Sequence, residues 1–164
     1  MNDEVIVTWH NSYSVGIKLI DEQHMKLIGL ANKLFGSYMS GHEKTKSDSI
    51  FTSIISEIKE YVVYHFITEE RVMERINYSS YKIHKEEHII FAQGIFHRLD
   101  EFNHGKSNAS LSLAYYLKDW IHQHVAISDK QLGMYLLDMK KKGLLDRIIL
   151  KSKRDAETNR ILIE

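Results

Sequence analysis

The chain has 164 residues, enough for one domain with a real core, and its 22 Lys plus Arg balance its 22 Asp plus Glu, so no net charge favours nucleic acid. It has no Cys, which excludes disulfides, iron–sulfur clusters and thiolate metal sites. The start MNDEVIVTWHNS is acidic and polar rather than a signal peptide, no apolar run approaches the ~20 residues of a membrane span, and a cytoplasmic protein is expected. Pro is absent and Gly is sparse, so helix breakers are few, while ten His is high for this length.

Residues 1–18 read as an irregular arm carrying Val5, Val7, Trp9, Tyr13, Val15 and Ile17 toward a core. A first helix is predicted from about Leu19, with Ile20, Leu27, Ile28, Ala31, Leu34, Phe35 and Tyr38 at helical spacing and His24 on the same stripe. The polar stretch 41–49 is a loop. A second helix runs from about Ser47 to Ile76 on a stripe of Phe51, Ile54, Ile55, Ile58, Val62, Val72, Met73 and Ile76, in which His65 and Glu69 fill the gap. After a turn at Asn77–Ser80, with Ser80 as N-cap, a third helix carries Tyr81, Phe91, Ile95, Leu99 and Phe102 inward, and His84 and His88 take stripe positions. A fourth helix follows the loop 103–110 with Leu113, Leu117, Trp120, Ile121 and His124 inward, and continues past Asp129. Together these elements predict an all-α, antiparallel, up-down-up-down four-helix bundle over residues 1–137, with an N-terminal arm. Residues 138–164, basic and amphipathic, form an extra C-terminal helical tail. It is read as a solvated helix, a self-association or docking helix, or a segment lying on an anionic membrane.

Five histidines, His24, His65, His84, His88 and His124, therefore point into the core with Glu69. A single inward histidine is usually a hydrogen-bonded core residue. Five with an unpaired carboxylate are hard to satisfy that way, because a buried carboxylate without a partner is costly. Metal ions satisfy them directly. Asp129 lies five after His124, rotated off its direction on a regular helix, and on spacing alone it is a solvated aspartate beside Lys130. With Asp129 counted, seven side chains exceed one tetrahedral zinc. Two octahedral ions, five imidazoles, two bridging carboxylates and a bridging oxide or hydroxide leave a single open position. Imidazole with carboxylate suits iron, zinc or manganese. Two other motifs compete poorly. His84 to His88 matches the H-x-x-E-H of inverted zinc peptidases, with Glu87 as base, but leaves the other inward histidines unexplained. Glu101 to His104 matches a single Glu-x-x-His of ferritin-like proteins, which need two.

IDEQH at 20–24, HFITEE at 65–70, HKEEH at 84–88 and HVAISD at 124–129, with Trp9 and the SVGI of 14–17, resemble the hemerythrin family, in particular its free-standing bacterial members. The resemblance spans about residues 5–135. It implies a non-haem diiron centre (Fe2+/Fe3+) with a bridging oxide or hydroxide that binds dioxygen reversibly for storage, delivery or sensing. His84, His88 and His124 would hold one iron and His24 and His65 the other, with Glu69 and Asp129 between them. The open position falls on the two-histidine iron, and Phe66, Trp120 and Ile127 match positions lining the oxygen pocket. The alternative is an enzyme on the same open iron, a diiron oxidase or peroxidase, or a nitric-oxide-handling protein. The sequence offers no obvious acid–base group at pocket positions beyond the ligand set. A third reading is a helical interaction module without metal.

Overall fold

Four helical rods stand side by side, and a fifth lies along the outside of one of them. The computed structural model describes residues 5–40, 44–106, 108–143 and 145–161. The rods of the bundle are α1 (Lys18–Met39), α2 (Lys44–Arg75), α3 (Tyr81–Asn103), and a long unit made of α4 (Ala109–Trp120), a π-helical segment (Ile121–Asp129) and α5 (Lys130–Lys141). Backbone angles stay helical across both joins, so this last unit is one continuous rod. Helix α1 packs against α2 and α4, and α3 against α2 and α4, which closes the square of an antiparallel bundle. No strand occurs among the described residues, and none of their helices is long and apolar enough to cross a membrane.

Helix α2 begins at Lys44, a few residues before the expected start, so the loop 41–49 is largely helical; residues 41–43 lie outside the described ones. The turn into α3 is made by Asn77 at φ 50°, a left-handed conformation that Asn tolerates. Ser80 occupies the N-cap position of α3 but makes no capping hydrogen bond through its side chain.

The apolar core comes in two parts. One holds Leu27, Leu34, Phe51, Ile54, Ile58, Phe91, Leu113 and Leu117. The other holds Ile20, Val72, Met73, Ile76, Leu132 and Leu136. Along every rod the residues between these two sets are polar and buried: His24 on α1, His65 and Glu69 on α2, His84 and His88 on α3, His124 and Asp129 on the π segment. The bundle thus carries one buried polar layer between two apolar layers, and the apolar layers fix the helix separation at which it is built.

The arm locks onto the bundle through specific contacts. Asn32 accepts hydrogen bonds from the backbone N–H groups of Ile6 and Val7 and donates to the Val7 carbonyl. Asp21, in the first turn of α1, accepts from the Ser14 hydroxyl and the Val15 N–H, both at 2.7 Å. Val15 then passes so close to α5 that a Cβ on Gly133 would lie 2.6 Å from the Val15 Cβ and 2.7 Å from its carbonyl oxygen. Only glycine permits that approach.

The tail forms α6 (Leu145–Ile161) and folds back on its own bundle. Ile148 and Ile149 pack against the Val72–Ile76 cluster, while Lys153 borders Glu60, Tyr61 and Tyr64, so α6 runs antiparallel to α2. Ser152 and Ala156 are fully buried, and small residues four apart allow the close helix approach. Arg75 donates to both Ser152 and Asp155. Of the tail's apolar residues, Ile148 and Ile149 are half-buried and Ala156 is buried, while Leu150 is exposed.

Candidate metal centre

Each side chain of the polar layer sits on a rigid helix, and spacing explains most of the convergence. His65 with Glu69, and His84 with His88, are four apart and share a helix face. Asp129 needs another device. On an α-helix, turning ~100° per residue, five steps would swing it about 140° from His124. The π-helical winding of Ile121–Asp129 closes its hydrogen bonds over five residues, so Asp129 returns to the face of His124 and is only 1% exposed. The reading from spacing alone, a solvated aspartate beside Lys130, does not hold, the burial agrees with the ligand position that the family resemblance implies for Asp129, and Lys130 instead donates to the Ser14 carbonyl. The same winding turns Ile127 outward. Ile127, expected at the oxygen pocket, is 53% exposed.

The facing atoms form two overlapping groups. Glu69, His84, His88, His124 and Asp129 bring ligand atoms within 4.8 Å of one another, and so do His24, His65, Glu69 and Asp129. The two carboxylates belong to both. Imidazole Nε2 atoms surround them: His124 lies 2.9 Å and His84 3.2 Å from Asp129 Oδ1, His24 3.1 Å from Asp129 Oδ2, and His84 3.2 Å, His88 3.4 Å and His65 3.6 Å from Glu69 Oε2.

Most of these contacts lack the alignment of hydrogen bonds. The Nε2 atoms of His24, His65, His88 and His124, Oε1 of Glu69 and both oxygens of Asp129 are buried without a hydrogen-bond partner among the described residues. Native proteins rarely leave one such atom orphaned. Seven in one layer, all nitrogen or carboxylate oxygen, are the donor set of a site that could hold metal, which would replace the missing partners.

The opposite ring nitrogens are satisfied. His24 Nδ1–H donates to the Tyr13 carbonyl at 3.2 Å and His65 Nδ1–H to Gln23 Oε1 at 2.9 Å. His88 Nδ1–H donates to Glu70 at 3.2 Å and His124 Nδ1–H to Glu87 at 2.5 Å. Each bond fixes its ring and leaves Nε2 facing the layer. The two groups differ here. The three-histidine group has carboxylates behind two of its rings, and the two-histidine group has neutral carbonyls. Glu87, a candidate peptidase base on motif alone, thus serves His124. His104, of the ferritin-like motif, is exposed beside Asp100.

Charge organises the layer when protons are its only cations. Burial works to raise the pKa of Glu69, and the Asp129 charge adds to it, but His65, His84 and His88 hold the carboxyl below the usual range. Asp129 is likewise held well down against burial by His124, His24 and His84. Burial acts to lower His84 and His124, yet the carboxylates outweigh it and raise them to about 10 and about 9; His24 is raised too. In His65 burial wins, and its pKa falls to about 3.

Aromatic rings wall the layer. Phe66 stacks on His88 with centroids 3.7 Å apart, and Trp120 stacks on His124 at 3.8 Å. Phe66 also reaches His65, with centroids 5.7 Å apart, and lies 5.9 Å from Trp120. The Tyr61 ring, which no motif marks, is buried and stacks on His65 at 4.9 Å, four residues before it on the same stripe. No spacing rule signals the ring-orienting roles of Gln23, Glu70 and Glu87, the last of which the sequence marks only as a peptidase-like base.

The comparisons with known proteins point the same way. The chain is 29% identical over 124 residues to a bacteriohemerythrin of Clostridium acetobutylicum, covering 75% of this chain and 95% of that protein. It is 29% identical over 137 residues to a hemerythrin-like protein of Naegleria gruberi, covering 84% and 92%. A bacteriohemerythrin of Pseudomonas aeruginosa is 25% identical over 123 residues, covering 75% and 76%. Residues 15–136, a span that contains the whole polar layer, match the family described as "Hemerythrin HHE cation binding domain", and the chain belongs to that family.

Proposed function

We propose that this chain binds dioxygen reversibly at two non-haem iron ions, acting in oxygen storage, delivery or sensing rather than as an enzyme. His84, His88 and His124 would hold one ion and His24 and His65 the other, with Glu69 and Asp129 shared. The observation that carries the reading is the overlap of two ligand groups through the same two buried carboxylates. Residues 1–137 would form the binding bundle and 138–164 an extension strapped to α2. The iron pair, when bound with its bridging oxide or hydroxide, supplies the electrons and the open position for a small ligand.

The chain's own residues supply the rest. The fixed imidazoles arrive with Nε2 free, because Tyr13, Gln23, Glu70 and Glu87 hold the other nitrogen. The apolar layers above and below, with the Phe66 and Trp120 rings, keep water from the ions, which favours reversible binding over irreversible oxidation. The experiment is the visible spectrum of the iron-loaded protein under nitrogen and air, cycled. A charge-transfer band that comes and goes with oxygen is expected. A band that decays at once to the oxidised form supports the enzymatic alternative. No band, with zinc found by metal analysis, overturns both iron readings.

A further inference from the structure

Tyr61 stands out among the buried polar groups that the ligand set does not use. Its side chain is 3% exposed, and its hydroxyl has no hydrogen-bond partner. A buried hydroxyl left unpaired is destabilising, and phenylalanine would fill the same space without that cost. Metal ions account for the orphaned nitrogens and carboxylate oxygens of the layer, but a phenol proton needs an acceptor. None lies within reach among the described residues.

The place of Tyr61 narrows what that acceptor is. Its ring lies nearly parallel to the His65 imidazole, at 4.9 Å and 19°, one helical turn before it. It feels the charges of both Asp129 and Glu69. It therefore borders the group of His24, His65, Glu69 and Asp129, which offers four side chains where the other offers five. The vacancy belongs on the poorer group. Gln23 also has an unpaired buried amide nitrogen, but its oxygen binds His65 Nδ1, so Gln23 lies behind the ring, away from the ligand atoms. Trp120 has an unpaired ring N–H as well, but it stacks on His124, in the three-histidine group.

We propose that the Tyr61 hydroxyl donates a hydrogen bond to a small anionic ligand in the open position of the His24–His65 half-site, and so selects ligands that can accept one. The inference rests on the two-ion reading of the layer. Azide is a suitable probe, being small, anionic and an acceptor at its terminal nitrogens. Wild type and Tyr61→Phe are loaded with iron, their iron per chain is counted, and the oxidised proteins are titrated with azide. Helical circular dichroism checks the fold of the variant. About two irons are expected in each, with azide bound on the order of tenfold or more weakly by the variant and its stretching frequency shifted. Two irons in each with equal azide affinity and an unshifted stretch overturn the role of Tyr61 alone. Fewer than about two irons in the wild type overturn the two-ion reading and this inference with it. If the variant does not fold or load, a crystal structure of the wild-type azide adduct decides. Tyr61 Oη within about 3.2 Å of azide supports the donor role, and a greater separation overturns it.

Discussion

Glu87→Gln tests whether the carboxylates behind the imidazoles make the two ion positions unequal. Glu87 accepts from His124 Nδ1–H at 2.5 Å, the shortest of the four ring-orienting bonds. A charge-assisted bond is roughly twice as strong as a neutral one, and it makes the ring a more basic ligand. Losing such a partner lowers metal affinity by about 10–100-fold, or roughly 1.4–2.7 kcal/mol. The Glu87 side chain is 36% exposed, so solvent screens its charge and the lower end is expected. Ferrous or cobaltous ion is titrated against a competing chelator, and the two binding steps are resolved. One step, assigned to the three-histidine position, should weaken by about tenfold, while the other moves little. Affinity within twofold of wild type, or equal weakening of both steps, would refute the reasoning. Glu70→Gln is the companion. It relaxes the hydrogen bond to His88 and also leaves Lys85 without its 2.8 Å partner, so its effect on stability is less clean.

Removing metal should cost stability, because it returns seven buried polar atoms to an unpartnered state. At a free metal concentration of a thousand times Kd, binding contributes about 4 kcal/mol, and for a chain of this size a chelator should lower Tm by about 8–16 °C; an unchanged Tm in a thermal scan sinks the metal reading. Metal uptake at pH 7 should release about two protons or more per chain. His84 and His124, raised to about 10 and about 9, are protonated there, and the ions displace those protons, so affinity should climb as pH rises toward 9–10. Weakly buffered titration measures the release, and none at pH 7 contradicts the charge balance described. In the metal-free protein the same raised histidines stabilise the fold below about pH 6.5. That contribution is lost as pH rises through 9–10, so chelated protein should lose Tm on alkalinisation. Gly133→Ala should destabilise by about 1–3 kcal/mol, since the new methyl meets the Val15 backbone. Calorimetry showing an equal or higher Tm would mean that the arm yields freely.

The helices and most of the polar layer are legible from residue spacing alone. Helical periodicity is local, so an inward stripe with histidines in apolar positions is visible without neighbours, as at His24, His65, His84, His88 and His124. The four-helix bundle followed from the same periodicity, and the family resemblance of the short motifs around those residues is matched over residues 15–136. The remainder follows from local winding and from contacts between rods. Spacing alone misplaces Asp129, which the family resemblance had set among the ligands; the π-helical winding that brings it in is announced by no residue type, and Ile127 on the same segment is exposed. Glu70, Glu87 and Gln23 reach rings on other rods, and the tail binds α2 across 77 and 80 residues of sequence, at Arg75 to Ser152 and Asp155. Such contacts depend on how the rods pack, and packing is set by the sum of many small apolar contacts rather than by any local signal.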